Sequence, residues 1–381
     1  MIVYFLFSIL LTFGYAGLMI RYFVDWQAIS IFKAESQYTA TAKTKVSILV
    51  PARNEAANIE RCIHSILKQD YDKSFFEIIV IDDHSEDDTA ALAEAIEDKR
   101  IHVIRLADFP ELPQQAFKKL ALKIGIEKAK GELIVTTDAD CFMGSSWLSL
   151  IVAFYEKHDA KMIAGPVAMT DENTLLEKFQ SLDFCGMMGI TGAGISKGYM
   201  LMGNGANIAY TKKVFKEVNG FEGIDHLASG DDMLLMQKIA AVYPGQIYFL
   251  KNEKATVFTK AQSTLKSFVQ QRIRWASKSS AYPQKGVTLQ LAIVYLFCLS
   301  LLINIFLLPF FGAAWVVLVL QVLTKAFVDF ILLYNMTGFF DRGDLMKSFG
   351  IAQLMHILYI VGIGTMGNLV KRYEWKGRRV S

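Results

Sequence analysis

The stretch Leu133-Ile134-Val135-Thr136-Thr137-Asp138-Ala139-Asp140 decides how this chain is read. A short β-branched run with no polar alternation reads as a strand buried on both faces. It ends in carboxylates at i and i+2, which point the same way on extended backbone. Two such groups repel unless a cation joins them. Mg2+ or Mn2+ suits that pair of oxygens, with substrate phosphates completing the shell. A solvated acidic turn would explain the same residues, so the run gains meaning only from what surrounds it.

Working outward, residues 46–50 (VSILV) form a strand-like run closed by Pro51. Residues 77–81 form a second, closed by Asp82-Asp83, and residues 101–104 a third. Helical patterns lie between them. Ile59, Cys62, Ile63, Ile66 and Leu67 recur at helical spacing behind Asn58 as the cap. A polar-capped helix begins near residues 87–89, and another covers residues 117–129 before Lys130-Gly131. This alternation predicts an α/β fold, a mostly parallel sheet with helices on both faces. In such sheets ligands bind beyond the carboxyl ends of the strands. Ala52-Arg53-Asn54-Glu55, Asp82-Asp83 and Asp138 to Asp140 are therefore expected to converge on one crevice. A dinucleotide GxGxxG fingerprint and a Walker loop are both missing, which disfavours hydride transfer and P-loop nucleotide hydrolysis.

The ends of the chain are of a different kind. Hydrophobic residues make up 53% of the 381 and concentrate there. Residues 1–20 carry no charge and are long enough to cross a bilayer. No basic n-region or small-residue cleavage site is evident, so a retained anchor is expected, closed by Arg21, Tyr22, Phe23 and Trp26. Further apolar runs cover residues 287–311, 314–336 and 349–370. Between Glu253 and Asp329 there is no acidic residue, while Lys254, Lys260, Lys266, Arg272, Arg274, Lys278 and Lys285 fill the first half. The positive-inside tendency places that segment, and the domain before it, in the cytoplasm. A bacterial inner membrane is the expected location. Three full C-terminal spans would put Lys371, Arg372, Lys376, Arg378 and Arg379 outside, and Lys325 and Asp329 are costly within a span. Two full spans are expected.

The expected domains are an anchor (1–24), a cytoplasmic catalytic domain (40–260), an interfacial amphipathic helix (261–285), a C-terminal membrane region (286–371) and a basic tail (372–381). A net charge of +3 gives no reason to expect nucleic acid as a partner. Four cysteines without a CxxC pair read as small buried hydrophobes in a reducing compartment.

Several other segments have a functional and a plain reading. Asp82-Asp83 can accept from a base N–H or a ribose hydroxyl, or cap the next helix. Lys118 can meet a diphosphate, or be a solvated helix lysine. Gly203-Asn204-Gly205-Ala206-Asn207 lets backbone approach a ligand, or is a turn. Asp231-Asp232 opens an apolar-periodic helix and supplies either its cap or a general base. Gln271-Arg272-Ile273-Arg274-Trp275 is either a basic helix resting on the membrane, or a site where Arg274 neutralises a diphosphate and Trp275 stacks on a sugar.

Together, VSILVPARNE, EIIVIDDHSEDDT, FKKLALKIGIEKAKGELIVTTDADC, GNGANIAYTKKVFKEVNGFEG, SGDDMLL and QQRIRW resemble, in that order, the family 2 glycosyltransferases. These are inverting enzymes with a GT-A fold, and the likeness covers residues 46–280. The Gln-x-x-Arg-Trp block resembles the membrane-bound members. The resemblance implies that Pro51, Ala52 and Glu55 line the nucleotide pocket and that Asp83 binds the base, commonly uracil. Lys118 matches a position near the phosphates, Asp138 would contact ribose or diphosphate, and Asp140 would ligate Mg2+ or Mn2+. Asp232 would be the base. Asn204, Gln271, Arg274 and Trp275 would serve the diphosphate and acceptor end. The family's base motif usually reads Glu-Asp, and here it is Asp231-Asp232, which leaves the choice between the two open.

The expected partners are a nucleotide-sugar donor, with UDP-sugars favoured, and a lipid, lipid-linked glycan or polysaccharide acceptor. Two alternatives compete. A sugar-1-phosphate nucleotidyltransferase would want a glycine-rich, arginine-bearing loop where PARNE stands. A non-catalytic nucleotide-sugar-binding membrane subunit would have no need of Asp140, Asp232 and Arg274.

Overall fold

The computed structural model describes residues 1–34, 43–109, 118–225, 230–276, 285–369, 373–375 and 378–380. Phe117, Ser229 (the first residue of SGDDMLL), Lys278, Lys371, Arg372 and Lys376 lie outside the described residues, as do the side chains of Lys285, Arg378 and Arg379. The chain forms two compact units. One comprises Ser30–Thr170, Leu201–Lys260 and Trp375–Ser381, the other Met1–Ile29, Asp171–Met200 and Ala261–Glu374.

In chain order the elements begin with α1 (Ile2–Gln27), β1 (Val46–Ala52), α2 (Ile59–Leu67), β2 (Phe76–Asp82), α3 (Thr89–Glu94) and β3 (Ile101–Arg105). Next come α4 (Lys118–Lys128), β4 (Leu133–Thr136), β5 (Phe142–Met143), α5 (Trp147–His158), β6 (Met162–Ala164), β7 (Val167–Thr170) and α6 (Leu175–Lys197). Then follow β8 (Ile208–Thr211), α7 (Lys212–Glu217), α8 (Asp231–Val242), β9 (Ile247–Phe249), β10 (Val257–Lys260) and α9 (Leu265–Ala276). The long helices α10 (Lys285–Leu307), α11 (Gly312–Phe339) and α12 (Phe349–Leu369) close the series.

In the first unit a seven-stranded sheet has the order β3-β2-β1-β4-β8-β6-β9. The first four strands are parallel, while β8 runs antiparallel to both β4 and β6. The sheet is thus mixed. Because β1 has β2 on one side and β4 on the other, the chain reverses its direction of winding there, the usual place for a ligand crevice. The buried strands explain the unalternating runs: Ile48, Leu49, Val50, Leu133, Ile134 and Val135 have essentially no exposure.

β1 continues two residues beyond the expected stop, through Pro51 and Ala52. Leu49 O accepts from Thr137 N on the β4 side. Residue 51 faces that same side, and the β1–β4 ladder ends at Leu49. The missing proline N–H therefore costs no ladder bond. Asn58 does precede α2, but its side chain donates to Glu55 Oε2 (2.7 Å) instead of capping the helix.

The second unit is helical. It contains α1, α6, α9, α10, α11 and α12, so α6 falls inside the span expected for the catalytic domain. Among the described residues four helical stretches are long and apolar enough to cross a membrane: Ile2–Gln27, Gly286–Leu307, Gly312–Phe339 and Gly343–Gly367. Three of them are C-terminal, against the two expected.

Lys325 and Asp329 explain how α11 carries charge. They pair at 2.6 Å one turn apart, Tyr15 OH donates to Asp329 Oδ1 (2.6 Å), and Lys325 Nζ donates to Gln353 Oε1 (2.6 Å). Every partner stands on α1, α11 or α12, so the charge is neutralised inside the helical unit. Close approach is helped by Gly189 of α6, where an added Cβ would stand 2.6 Å from Met336 Sδ.

Candidate active site

The carboxyl ends of β1, β2 and β4 carry the polar residues, as the alternation requires. At β4, Lys118 Nζ donates to Asp138 Oδ1 (2.5 Å) and pairs with Asp231 Oδ2 (3.3 Å). Burial alone would lower the Lys118 pKa. The charges of Asp138, Asp231 and Asp232 outweigh it and hold the ammonium above the usual lysine range.

Thr136 Oγ1 donates to Gly205 O (2.8 Å) and so pins the GNGAN turn over the end of β4. Asn204 Oδ1 accepts from Ala206 N (3.0 Å), which shapes that turn from within. A Cβ at Gly205 would lie 3.0 Å from Lys118 Nζ and 3.2 Å from Asp231 Oδ2. Glycine lets the backbone pass close to these charged groups, and a larger residue would have to displace them by a few tenths of an ångström. Asn207 anchors the far side of the turn, donating to Pro166 O (2.8 Å) and Ala255 O (2.9 Å) and accepting from Trp147 Nε1 (2.9 Å).

Asp231 and Asp232 open α8 behind Gly230, whose φ is +84°. The two behave differently. Asp231 is turned into Lys118 and is 8% exposed. Asp232 Oδ2 accepts from Gly205 N (3.0 Å) and its Oδ1 from Met233 N (2.7 Å). Both of its carboxylate oxygens, at the start of α8, are thus held by backbone N–H groups.

Asp138, Asp140 and Cys141 bring their ligand atoms within 4.8 Å of one another. Asp140 is exposed and Cys141 is buried. Burial first, then Asp140 and Asp138, push the Cys141 thiol well above its ordinary pKa, and it donates to Asp140 Oδ1 at 3.5 Å. The carboxylate pair supplies the hard oxygen donors that Mg2+ or Mn2+ takes, and a protonated thiol does not compete for such an ion.

At β1 and β2 the strand-end loops are stitched together. Arg53, 6% exposed, donates from Nη1 to Asp83 O and to His84 O (both 2.8 Å). Asn54 N donates to Ser85 Oγ (3.0 Å), Glu55 N to Thr89 Oγ1 (2.7 Å), Ala56 N to Asp87 Oδ2 (3.1 Å), and Glu86 N to Asn54 Oδ1 (2.8 Å). Asp83 N donates to Ala52 O (2.8 Å), and the Asp83 carboxylate meets His84 Nδ1 at 3.1 Å. Cys62 links this end to the acidic run through its contact with Asp138 O (3.6 Å). The structure thus brings together Pro51, Ala52, Glu55, Asp83, Lys118, Asp138, Asp140, Asn204, Asp231 and Asp232 in one unit. Gln271, Arg274 and Trp275 stand on α9 of the helical unit. The Arg53 brace and the Gly205 contact were missed by sequence reasoning; PARNE and GNGAN were its only traces.

A mixed sheet of this order, with an aspartate pair at the end of β4, defines a GT-A-type nucleotide-sugar fold. The family description "Glycosyl transferase family 2" matches residues 47–218, and "Glycosyl transferase family group 2" matches residues 133–340. The chain belongs to the family 2 glycosyltransferases. It is 28% identical over 194 residues to "Glycosyltransferase AglE" of Haloferax volcanii, covering 49% of this chain and 59% of that protein. It is 24% identical over 275 residues to "Poly-beta-1,6-N-acetyl-D-glucosamine synthase" of Staphylococcus aureus, covering 69% of this chain and 63% of the relative. The chain thus spans about three fifths of the length of these curated relatives. Among solved structures it is similar to the mannosyltransferase PcManGT from Pyrobaculum calidifontis in complex with GDP-Man and Mn2+, with a TM-score of 0.63. That likeness has 17% identity and covers 93% of this chain and 99% of the other, and it speaks to the fold.

Proposed function

We propose that this protein transfers a sugar, with inversion, from a nucleotide sugar to a hydroxyl of a membrane lipid, lipid-linked glycan or polysaccharide. A UDP-sugar is the favoured donor. The observation that carries the proposal is the gathering of Asp138, Asp231 and Asp232 about Lys118 at the end of β4, with Asp140 beside Asp138. Asp138 and Asp140 offer hard oxygens to a cation, and Lys118 offers an ammonium to a diphosphate.

In this mechanism Asp232 takes the proton from the acceptor hydroxyl as that oxygen attacks the anomeric carbon. Asp231 is engaged with Lys118, which supports giving the base role to Asp232. Asp83, held by the Arg53 brace, accepts from the base, with Pro51, Ala52 and Glu55 beside it. Lys118 and Asp138 serve the diphosphate and ribose, and Arg274, Gln271, Trp275 and Asn204 the diphosphate and acceptor end. Asp140, with Asp138, would hold Mg2+ or Mn2+, which when bound offsets charge on the departing diphosphate. The relatives' names support the class, a glycosyltransferase and a polysaccharide synthase. The four apolar helices support a membrane protein, and we assign it to a bacterial inner membrane with residues 40–260 catalytic and cytoplasmic.

The test uses full-length protein in detergent, Mn2+, a panel of UDP- and GDP-sugars, and membrane lipid extract as acceptor. Nucleoside diphosphate release with labelled lipid or glycan is expected for one donor, with the anomeric configuration inverted. Binding without release across the panel would reduce the protein to a nucleotide-sugar-binding subunit.

A further inference from the structure

We infer that Arg272, inside the Gln271–Trp275 motif, is the positioning residue of that motif, holding Trp275 in place with Asp183 of α6 as its counter-ion. The inference rests on the proposed role of Gln271, Arg274 and Trp275 at the diphosphate and acceptor end.

Residues 268, 272 and 275 fall on one face of α9, at i, i+4 and i+7. The Arg272 side chain has no solvent exposure. Its guanidinium centre lies 4.3 Å over the Trp275 ring, 5.2 Å over Phe268 and 5.6 Å over Tyr359. Phe184 of α6 stands 6.2 Å from Trp275. The charge is met by Asp183, which is itself buried: Nη2 to Oδ2 is 3.5 Å, and His356 Nε2 is 4.0 Å from Asp183 Oδ1. Nη1 meets Met187 Sδ at 3.6 Å, while Nε and Nη2 have no hydrogen-bond partner among the described residues. The ion pair therefore supplies charge balance without fixed hydrogen-bond geometry. The aromatic planes set the guanidinium's orientation, and through it the guanidinium sets the indole's.

A buried ion pair is a costly way to fill a helix interface, and apolar side chains of the same volume do that at least as well. Arginine in particular stacks its flat face on an aromatic ring, which lysine cannot do. Placing such a residue three positions before Trp275 ties α6 to the one motif side chain with a broad ring face.

The test combines a spectrum with kinetics on the full-length protein. All five tryptophans are replaced by 5-fluorotryptophan, and the Trp275 fluorine resonance is assigned with Trp275→Phe. Arg272→Lys keeps the charge and loses the stack. It is expected to move the Trp275 resonance and leave the other four in place. Turnover on the active donor should fall about 10- to 100-fold while the donor KM stays within about twofold. Asp183→Asn should give the same pattern. The double variant Arg272→Met/Asp183→Leu removes both charges, so it should fold and still lose turnover. Wild-type turnover in Arg272→Lys or in the folded double variant would overturn the inference, even with a shifted resonance, because Arg272 would then serve packing alone. If the wild-type protein turns over no donor, the proposed function fails instead. The fluorine spectrum then decides alone whether Arg272 holds Trp275, and an unmoved resonance rejects it.

Discussion

Two lysines of this protein sit against aspartates at nearly the same distance and do opposite things. Lys118 meets Asp138 at 2.5 Å, and Lys325 meets Asp329 at 2.6 Å. Around Lys325 the charge is balanced: one ammonium, one carboxylate, and the neutral donors and acceptors of Tyr15 and Gln353. Around Lys118 three carboxylates, those of Asp138, Asp231 and Asp232, act on one ammonium. Burial differs as well. The Lys325 and Asp329 side chains are 2% and 9% exposed, those of Lys118 and Asp138 19% and 36%. A balanced buried pair serves its own fold, whereas a carboxylate-rich cluster with an open side is suited to a charged ligand.

The sharpest way to break that comparison is Asp232→Asn. If Asp232 is the base, sugar transfer should fall by up to about 10⁴-fold, with UDP binding in Mn2+ little changed. Asp231→Asn, which loosens Lys118, should cost less. Equal losses in the two variants, or near-normal transfer in Asp232→Asn, would undo the assignment.

The balanced pair should respond in stability instead. Asp329→Leu leaves Lys325 buried without its counter-charge and should cost about 3–5 kcal/mol. Adding Lys325→Met should recover most of that, leaving only Tyr15 OH and Gln353 without their partners. Melting temperatures of the detergent-solubilised protein read both. A single variant that melts like wild type would mean that the pair is not the buried structural unit described.

Between these lies Asp140→Asn, which should lower Mn2+-dependent transfer by about 10²-fold without lowering the melting temperature. Stabilisation of the unfolding transition by Mn2+ should vanish with it. Persistence of that stabilisation would move the cation elsewhere.

The comparison also explains what the sequence could and could not reveal. Residues 46–50, 77–81 and 133–136 were legible as strands because parallel strands buried on both faces leave continuous apolar runs. The reversed direction of β8 was not, since Ile208-Ala209-Tyr210-Thr211 carries no mark of orientation. α6 was also unread: its polar residues Glu177, Lys178, Gln180, Ser181 and Asp183 are spread around the helix and its second half is rich in glycine, so no single polar face betrays its period. Lys325 and Asp329 argued against a span because their cost shows in sequence and their pairing does not. The acidic residues of the candidate site were individually visible, but Arg53 joins loops 30 residues apart, and such a brace exists only once β1 and β2 lie side by side.

The finest distinction concerns the thiols. Cys141 and Cys62 lie beside the carboxylate-rich cluster, and after burial the charges of Asp140 and Asp138 are the next causes raising both pKa values. Cys185, in the helical unit, is pushed up to about 12 chiefly by burial. Alkylation needs the thiolate, and a raised pKa means less thiolate at every pH below it. In EDTA at pH 9 all three should therefore react slowly in the folded protein and quickly once it is unfolded. Asp140→Asn removes one negative charge from beside Cys141, so its pKa falls and its alkylation at pH 9 should quicken by about a few-fold, within the size of a single nearby charge. Cys185 should not change. Peptide mapping of the alkylated protein separates the cysteines. Equal acceleration at Cys141 and Cys185 would point to general loosening, whereas acceleration at Cys141 with Cys185 unchanged would show that the nearby carboxylates, and not burial by itself, hold that thiol protonated.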